Sequence, residues 1–124
     1  MSRLFLKAYW NLALFHRYVS RGDFANLYSK VRACPVRTGT FSPDVTSRIS
    51  SAINLACIWF WKEALCLERS AATTCLLRRH GVAAHMVVGA QRLPFKAHAW
   101  VEIDGSVVND RPYTPEMYQV LDRC

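Results

Sequence analysis

Three short stretches stand in a fixed order along this chain: Cys66-Leu67-Glu68-Arg69-Ser70, then Ala97-His98-Ala99-Trp100-Val101-Glu102, then Val107-Val108-Asn109-Asp110. They offer a nucleophile, a base and a carboxylate. The cysteine stands where a helical pattern begins. The histidine and the aspartate stand on two alternating runs joined by Asp104-Gly105, a strong hairpin signal. A chain that uses this order has to set the start of a helix against the side of a hairpin, so neither an all-helical nor an all-strand fold serves it. The placement also suits the chemistry, because the thiolate is the reactive form and a helix N-terminus or a nearby imidazolium favours it.

The rest of the pattern agrees with a mixed fold. Residues 3–20 read as a helix with a narrow polar stripe, Arg3, Lys7 and Asn11, on an otherwise apolar surface that needs cover on most sides. One reading buries it in its own domain; the other docks it to a partner protein or a membrane surface. Asp23 can cap a second short helix running to about Arg32, and Cys34–Gly39 reads as a loop. Ser42-Pro43-Asp44 is a helix start, followed by Val45, Ile49, Ile53 and Cys57 at helical spacing up to residues 61–64. The next helix runs from Cys66 to Arg79 or His80, closed by Gly81. Strands are expected over 82–90, 97–103 and 106–109, a short helical turn at Thr114-Pro115-Glu116, and a last strand over 118–122. Helices first and strands after make an α+β chain with a small antiparallel sheet. The divisions expected are an N-terminal helical arm, residues 1–41, and a main body, residues 42–124.

With 124 residues, 52% of them apolar, the chain is long enough for one packed domain, and no run approaches the roughly 18–20 apolar residues of a membrane span. Of its net charge of +7, nearly all sits in front: residues 1–48 hold eight Lys/Arg against two acids, and the remainder hold eight against seven. A basic surface steers anionic partners without naming them. A nucleic-acid adaptor needs cations interleaved with aromatics on one face, and the main body lacks that. Five cysteines without a compact pattern fit a reducing cytoplasm better than a disulfide framework. Cys57, Cys66 and Cys75 recur every nine residues, too far apart for paired zinc ligands, so no metal or cofactor is expected.

Among the cysteines, Cys66 is the candidate nucleophile, since its own N–H is placed to donate to an oxyanion. Cys57 and Cys75 fall inside helices, and Cys34 and Cys124 lack a nearby base. His98, between two alanines that leave room for an imidazole, is the candidate base; His16, His80 and His85 read as packing or surface. Trp100 shares the His98 face and can shield it from water. Asp110 is the candidate orienter of the imidazole, with Asn109 and Glu102 as rivals. Arg69, Ser70 and Trp100 are the candidate substrate contacts, Arg69 for an acidic or carbonyl-rich segment.

Residues 66–110 resemble the leader-peptidase domain of lasso-peptide biosynthesis, a transglutaminase-like cysteine protease related to the papain-like core. The motifs that carry the likeness are Cys66-Leu67-x-Arg69-Ser70, Leu77-Arg78-Arg79-His80-Gly81, Val88-Gly89, Pro94 to Glu102, Asp104-Gly105 and Asn109-Asp110. That family usually has proline where this chain has Glu68. The resemblance implies a Cys66–His98–Asp110 triad that removes the leader from a ribosomally made precursor peptide, whose new amine a separate ATP-dependent cyclase then uses. It also implies a recognition element on a second polypeptide, because the stretch before Ser42 is short for the recognition domain of fused versions. Other acyl-transfer enzymes on the same core, amidases or transglutaminases, share these residues, and a basic adaptor would share none of the chemistry.

The hairpin register carries one further expectation. A two-residue Asp104-Gly105 turn pairs Ile103 with Ser106 and turns Asp110 away from His98, whereas a three-residue bulged loop pairs Glu102 with Ser106 and sets Asp110 opposite His98. The triad as written calls for the bulged form or an irregularity further on.

Overall fold

A computed structural model describes residues 2–38, 44–60, 65–91, 96–108 and 114–124. Its elements follow in the order α1 (Ser2–Ser20), α2 (Phe24–Ala33), α3 (Val45–Trp59), α4 (Cys66–Arg79), β1 (Ala84–Gln91), β2 (Lys96–Ile103), β3 (Ser106–Val107), α5 (Thr114–Met117) and β4 (Gln119–Arg123). The α+β reading holds. The expected boundary at residues 41/42, the Ser42-Pro43 start and the loop at Arg92–Phe95 lie outside the described residues. Asp44 occupies the cap position of α3 without a side-chain capping bond. Asp23 at the cap of α2 likewise spends its carboxylate on the Asn26 amide, at 2.7 Å.

The strands form an antiparallel sheet in the order β3-β2-β1-β4. One face carries Ala84, Met86 and Val101, which join a single core with the inward residues of the helices: Ala8, Leu12 and Phe15 of α1, Leu27 and Val31 of α2, Ile49 and Ile53 of α3, and Leu76 and Leu77 of α4. The polar stripe of α1 therefore tells only part of its story. One side of the helix is core, while Leu6 and Trp10 remain exposed at 62% and 72%. No described helix is long and apolar enough to cross a membrane.

The C-terminal end of α4 is closed by chemistry visible in the sequence. Gly81 adopts a left-handed φ of 89°, its N–H bonds the Arg78 carbonyl, and the Val82 N–H reaches back to Leu77 at 3.0 Å, the paired bonds of a Schellman ending. Arg78 itself departs from the surface role expected of a basic residue near a helix end. It is buried, and its guanidinium donates to four backbone oxygens: Nε to Ala84 (2.9 Å), Nη1 to Val31 (2.6 Å) and Cys34 (3.3 Å), and Nη2 to Cys124 (2.6 Å). One planar fork thus ties α4 to the end of α2, the start of β1 and the end of β4. Hydrogen bonds to a charged donor contribute roughly 1.5–3 kcal/mol each, though not additively. Arg78→Met should therefore cost about 3–5 kcal/mol of stability in urea denaturation, with Arg78→Lys recovering only a minor part. A loss below about 1 kcal/mol for either variant would show that the carbonyls find other partners.

Candidate active site

Cys66 is the first residue of α4 and is half-buried. The residue before it, Leu65, has extended backbone and no side-chain acceptor to cap the helix. Glu68 supplies the missing group from inside the first turn: its Oε1 accepts the Leu65 N–H at 2.7 Å. Half of a capping box is enough to define the helix start at Cys66. The other oxygen, Oε2, accepts from His16 Nδ1 of α1 at 2.8 Å. Glu68 is fully buried, and a buried carboxylate needs such a partner. The His16 ring stands edge-on to Phe60, with centroids 5.4 Å apart. Thus a histidine that reads as packing from its position in the front helix fixes the entry to α4. Glu68 at the third helical position is a readable capping signal; nothing local in the sequence pairs it with a residue 52 positions away.

Strand alternation and the β1–β2 register, Val87↔Trp100 and Gly89↔His98, place His98, Trp100 and Glu102 on the sheet face away from the helices. There His98 packs against Trp100 (6.1 Å between ring centroids) and Tyr118 (5.4 Å). Trp100 is fully buried and lies across Gly89, where an added Cβ would come within 2.8 Å of the indole and of Tyr118. Only glycine admits so close an approach. Trp100 Nε1 donates to Glu102 Oε2 at 2.8 Å, and Arg123 Nη2 donates to Glu102 Oε1 at 3.1 Å. Both oxygens of Glu102 are engaged in fixing the indole under His98, which argues against Glu102 as the group that orients the imidazole.

The two walls meet in a cleft of about 250 Å³ lined by Cys66 and Leu67 from α4, His98 and its flanking alanines from β2, and Phe24 and Tyr28 from α2. Ala97 and Ala99 face the helices while His98 lies on the other face, so the cleft wraps the edge of β2. Among the described residues, β3 pairs with Glu102 and Ile103 and the Val108 N–H reaches the Val101 carbonyl, so the described pairing on that side extends as far as Val101. Burial raises the Tyr28 phenol above its ordinary value, with Cys124 and Asp122 adding to the shift and Arg32 opposing it, which keeps it a neutral hydrogen-bonding group in the cleft wall. Phe24 and Tyr28 carried no functional signal in the sequence; only packing brings α2 beside Cys66.

The other candidates fall in different places. Ser70 is fully buried where α4 enters the core, and neither it nor Trp100 lines this cleft. Arg69 lines a separate cleft one turn along α4. Asp110 and Asn109 lie outside the described residues. The hairpin before them is of the two-residue form: Ile103 pairs with Ser106, Glu102 with Val107, and both Asp104 (φ 50°) and Gly105 (φ 79°) are left-handed, the primed turn that matches strand twist. The bulged loop expected for the triad is not formed. Asp-Gly satisfies a two-residue turn without strain, so the extra residue has no local cause.

The remaining cysteines differ in character. Cys34, near-buried, is held down to about 6 by a hydrogen bond from the Cys75 thiol and then by Arg79, Arg78 and Lys30, while the same contact and burial raise Cys75. Burial raises Cys57 and Cys124. All five are free thiols. Among the described residues no three His, Cys, Asp or Glu side chains converge on a metal position.

The Transglutaminase-like superfamily profile matches residues 8–123, nearly the whole chain. Over 56 residues the chain is 38% identical to the Microcin J25-processing protein McjB of Escherichia coli, a stretch that covers 45% of this chain and 27% of that relative. The chain thus spans about a quarter of the length of the curated relative it matches. No solved structure matches.

The cap at the start of α4 has a measurable consequence. Glu68→Ala removes the acceptor of the Leu65 N–H and of His16 Nδ1 and should cost about 2 kcal/mol in thermal or urea unfolding. Glu68→Gln keeps an acceptor for Leu65 and should cost less than half as much. Equal losses for the two variants would assign the effect to packing volume rather than to the cap.

Proposed function

The chain belongs to the Transglutaminase-like superfamily, and from that premise we propose that it is a cysteine peptidase that removes the leader from a ribosomally made lasso-peptide precursor. The observation that carries the reading is the shared cleft: Cys66 at the start of α4 and His98 on β2 line the same opening. The likeness to a processing protein over part of the chain supports the substrate class.

In this mechanism His98 takes the Cys66 Sγ proton, and the thiolate attacks the scissile carbonyl. The Cys66 N–H, free of an intrahelical partner at the first turn, donates to the oxyanion. His98 then protonates the leaving amine, and water, deprotonated by His98, hydrolyses the thioester to release the leader. The amine set free is the group a separate ATP-dependent cyclase would use. Asp110 is proposed to accept from the imidazole. Since the described register pairs Glu102 with Val107, Asp110 shares the His98 face only if the chain takes up one residue after Val108; a ladder continued without a break brings Asn109 to that face instead. The two candidates are thus separable by mutation.

A separate leader-recognition protein is part of the proposal. Its support is an exposed apolar surface of α1 and α3, where Trp10 (72% exposed), Ile58 (75%) and Trp59 (69%) border a groove of about 440 Å³ lined by Phe5, Tyr9, Leu55 and Trp59. The five free thiols fit work in a reducing cytoplasm.

Incubation with a precursor peptide, with and without a recognition protein, read by mass spectrometry, tests the whole reading. Cleavage should be slow alone and faster with the partner. Cys66→Ala and His98→Ala should each lower kcat/KM by roughly a thousandfold or more, and the double variant should be little worse than either, because the groups act as one unit. Iodoacetamide should stop turnover with the adduct on the Cys66 peptide. Asp110→Ala should cost more than Asn109→Ala, and the reverse order moves the orienting role to Asn109. Full turnover by a folded Cys66→Ala protein would end the thiol mechanism.

A further inference from the structure

A second cleft, of about 200 Å³, lies between α3 and α4 beside the end of the hairpin. It is lined by Ser50, Ile53, Asn54, Arg69, Thr73 and Val108. We propose that this cleft is a subsite for a single carboxylate side chain of the peptide substrate, with Arg69 as its charged partner. The proposal rests on the peptidase reading of the neighbouring Cys66 cleft and names one feature of the substrate it takes.

Three observations carry it. The first is position. Cys66, Arg69 and Thr73 follow one another at helical spacings of three and four, so they share one face of α4, and Arg69 lies about 4.5 Å further along the axis than the nucleophile. A peptide held with a carbonyl at Cys66 can drop a neighbouring side chain into this cleft. The second is an unmade bond. Arg69 Nε is buried and has no hydrogen-bond partner among the described residues. A guanidinium stays charged at any working pH, and a buried donor left unpaired is costly, so the site is built for an acceptor that arrives from outside. The third is the chemistry of the walls. The described lining residues include no acid to neutralise Arg69. Thr73 commits its hydroxyl proton to the Arg69 carbonyl at 2.7 Å, which leaves the Ser50 hydroxyl and the Asn54 amide as further donors. Ile53 and Val108 supply an apolar wall for a methylene stem. A charged fork, neutral donors and a short apolar wall match an aspartate or glutamate side chain, whose two oxygens accept from the guanidinium side by side.

The test uses the full chain and does not depend on cleavage. The Nε–Hε resonance of Arg69, assigned by its loss in Arg69→Gln, is followed by nitrogen-edited NMR while N-acetylglutamate methylamide is added, with the glutamine analogue and inorganic phosphate as parallel probes. The acid should shift the resonance saturably, the amide should not, and Arg69→Lys should bind the acid more weakly, as read from other resonances lining the cleft. Equal response to acid and amide, or none to either, overturns the subsite, as does a response to phosphate alone, which marks a small-anion site. A second arm compares precursors in which each acidic residue near the scissile bond is replaced by its amide. One replacement should lower kcat/KM about tenfold in the unaltered protein and have no further effect in Arg69→Gln. Additive losses overturn the pairing. If no precursor is cleaved at all, the peptidase reading fails while the NMR titration still decides the subsite.

Discussion

The guanidinium of Arg78 holds the parts of this fold in register. It sits in the last turn of α4 and reaches the backbone of α2, β1 and the residue after β4, none of which touch one another through a shared strand pairing except β1 and β4. Its own carbonyl also receives the Arg37 N–H at 2.8 Å. A buried cation usually needs a carboxylate, yet here its donors are met by neutral backbone oxygens at the ends of helices and strands. The charge is solvated by backbone dipoles, and the ends of three elements are gathered on one side chain. Because α4 carries Cys66, the candidate nucleophile, at its other end, the anchor at Arg78 also fixes where that residue stands relative to the sheet.

The opposite end of α4 is set by a different device. Glu68 caps Leu65 and is tied to α1 through a hydrogen bond with His16, so the front helix reaches the start of α4 without lining the described cleft. The sheet side is built with equal economy. Arg123 engages Glu102, Glu102 engages Trp100, and Trp100 lies over Gly89 beneath His98. Each step is a single contact, and each places the next residue. The imidazole thus rests on a floor of aromatic rings, with Tyr118 alongside. The half-buried thiol at Cys66, the aromatic floor under His98 and the α2 wall of Phe24 and Tyr28 come from three parts of the chain that only meet in the packed protein.

Local chemistry was legible residue by residue. The α4 ending at Gly81, the helix start at Cys66, the Asp104-Gly105 turn and the short helix at Thr114 all follow from interactions within a few positions of each other, and the structure has them where the pattern puts them. Glu68 at the third position of α4 belonged to the same readable class. Arg78 did not: in sequence it is one of two arginines in a last turn, and only burial against α2 and the strands separates it from its exposed neighbour Arg79. The bulged hairpin expected from the catalytic order also gave way, since turn chemistry acts over two residues and is indifferent to what a carboxylate five residues later is needed for.

By itself the sequence determined the order of helices and strands, the start and end of α4, the Asp104-Gly105 turn, and the candidacy of Cys66 and His98, because helical spacing, capping and turn preference are short-range effects written into neighbouring residues; it ran α3 past its end at Trp59 and started β1 two residues before Ala84. Only the tertiary structure decided that α2 walls the Cys66 cleft, that His16 pairs with Glu68, that Glu102 serves Trp100, and that Arg69 opens into a cleft of its own. Those outcomes depend on which surfaces are driven together to bury apolar area. That choice is made by the whole chain, and leaves no mark at the positions it joins.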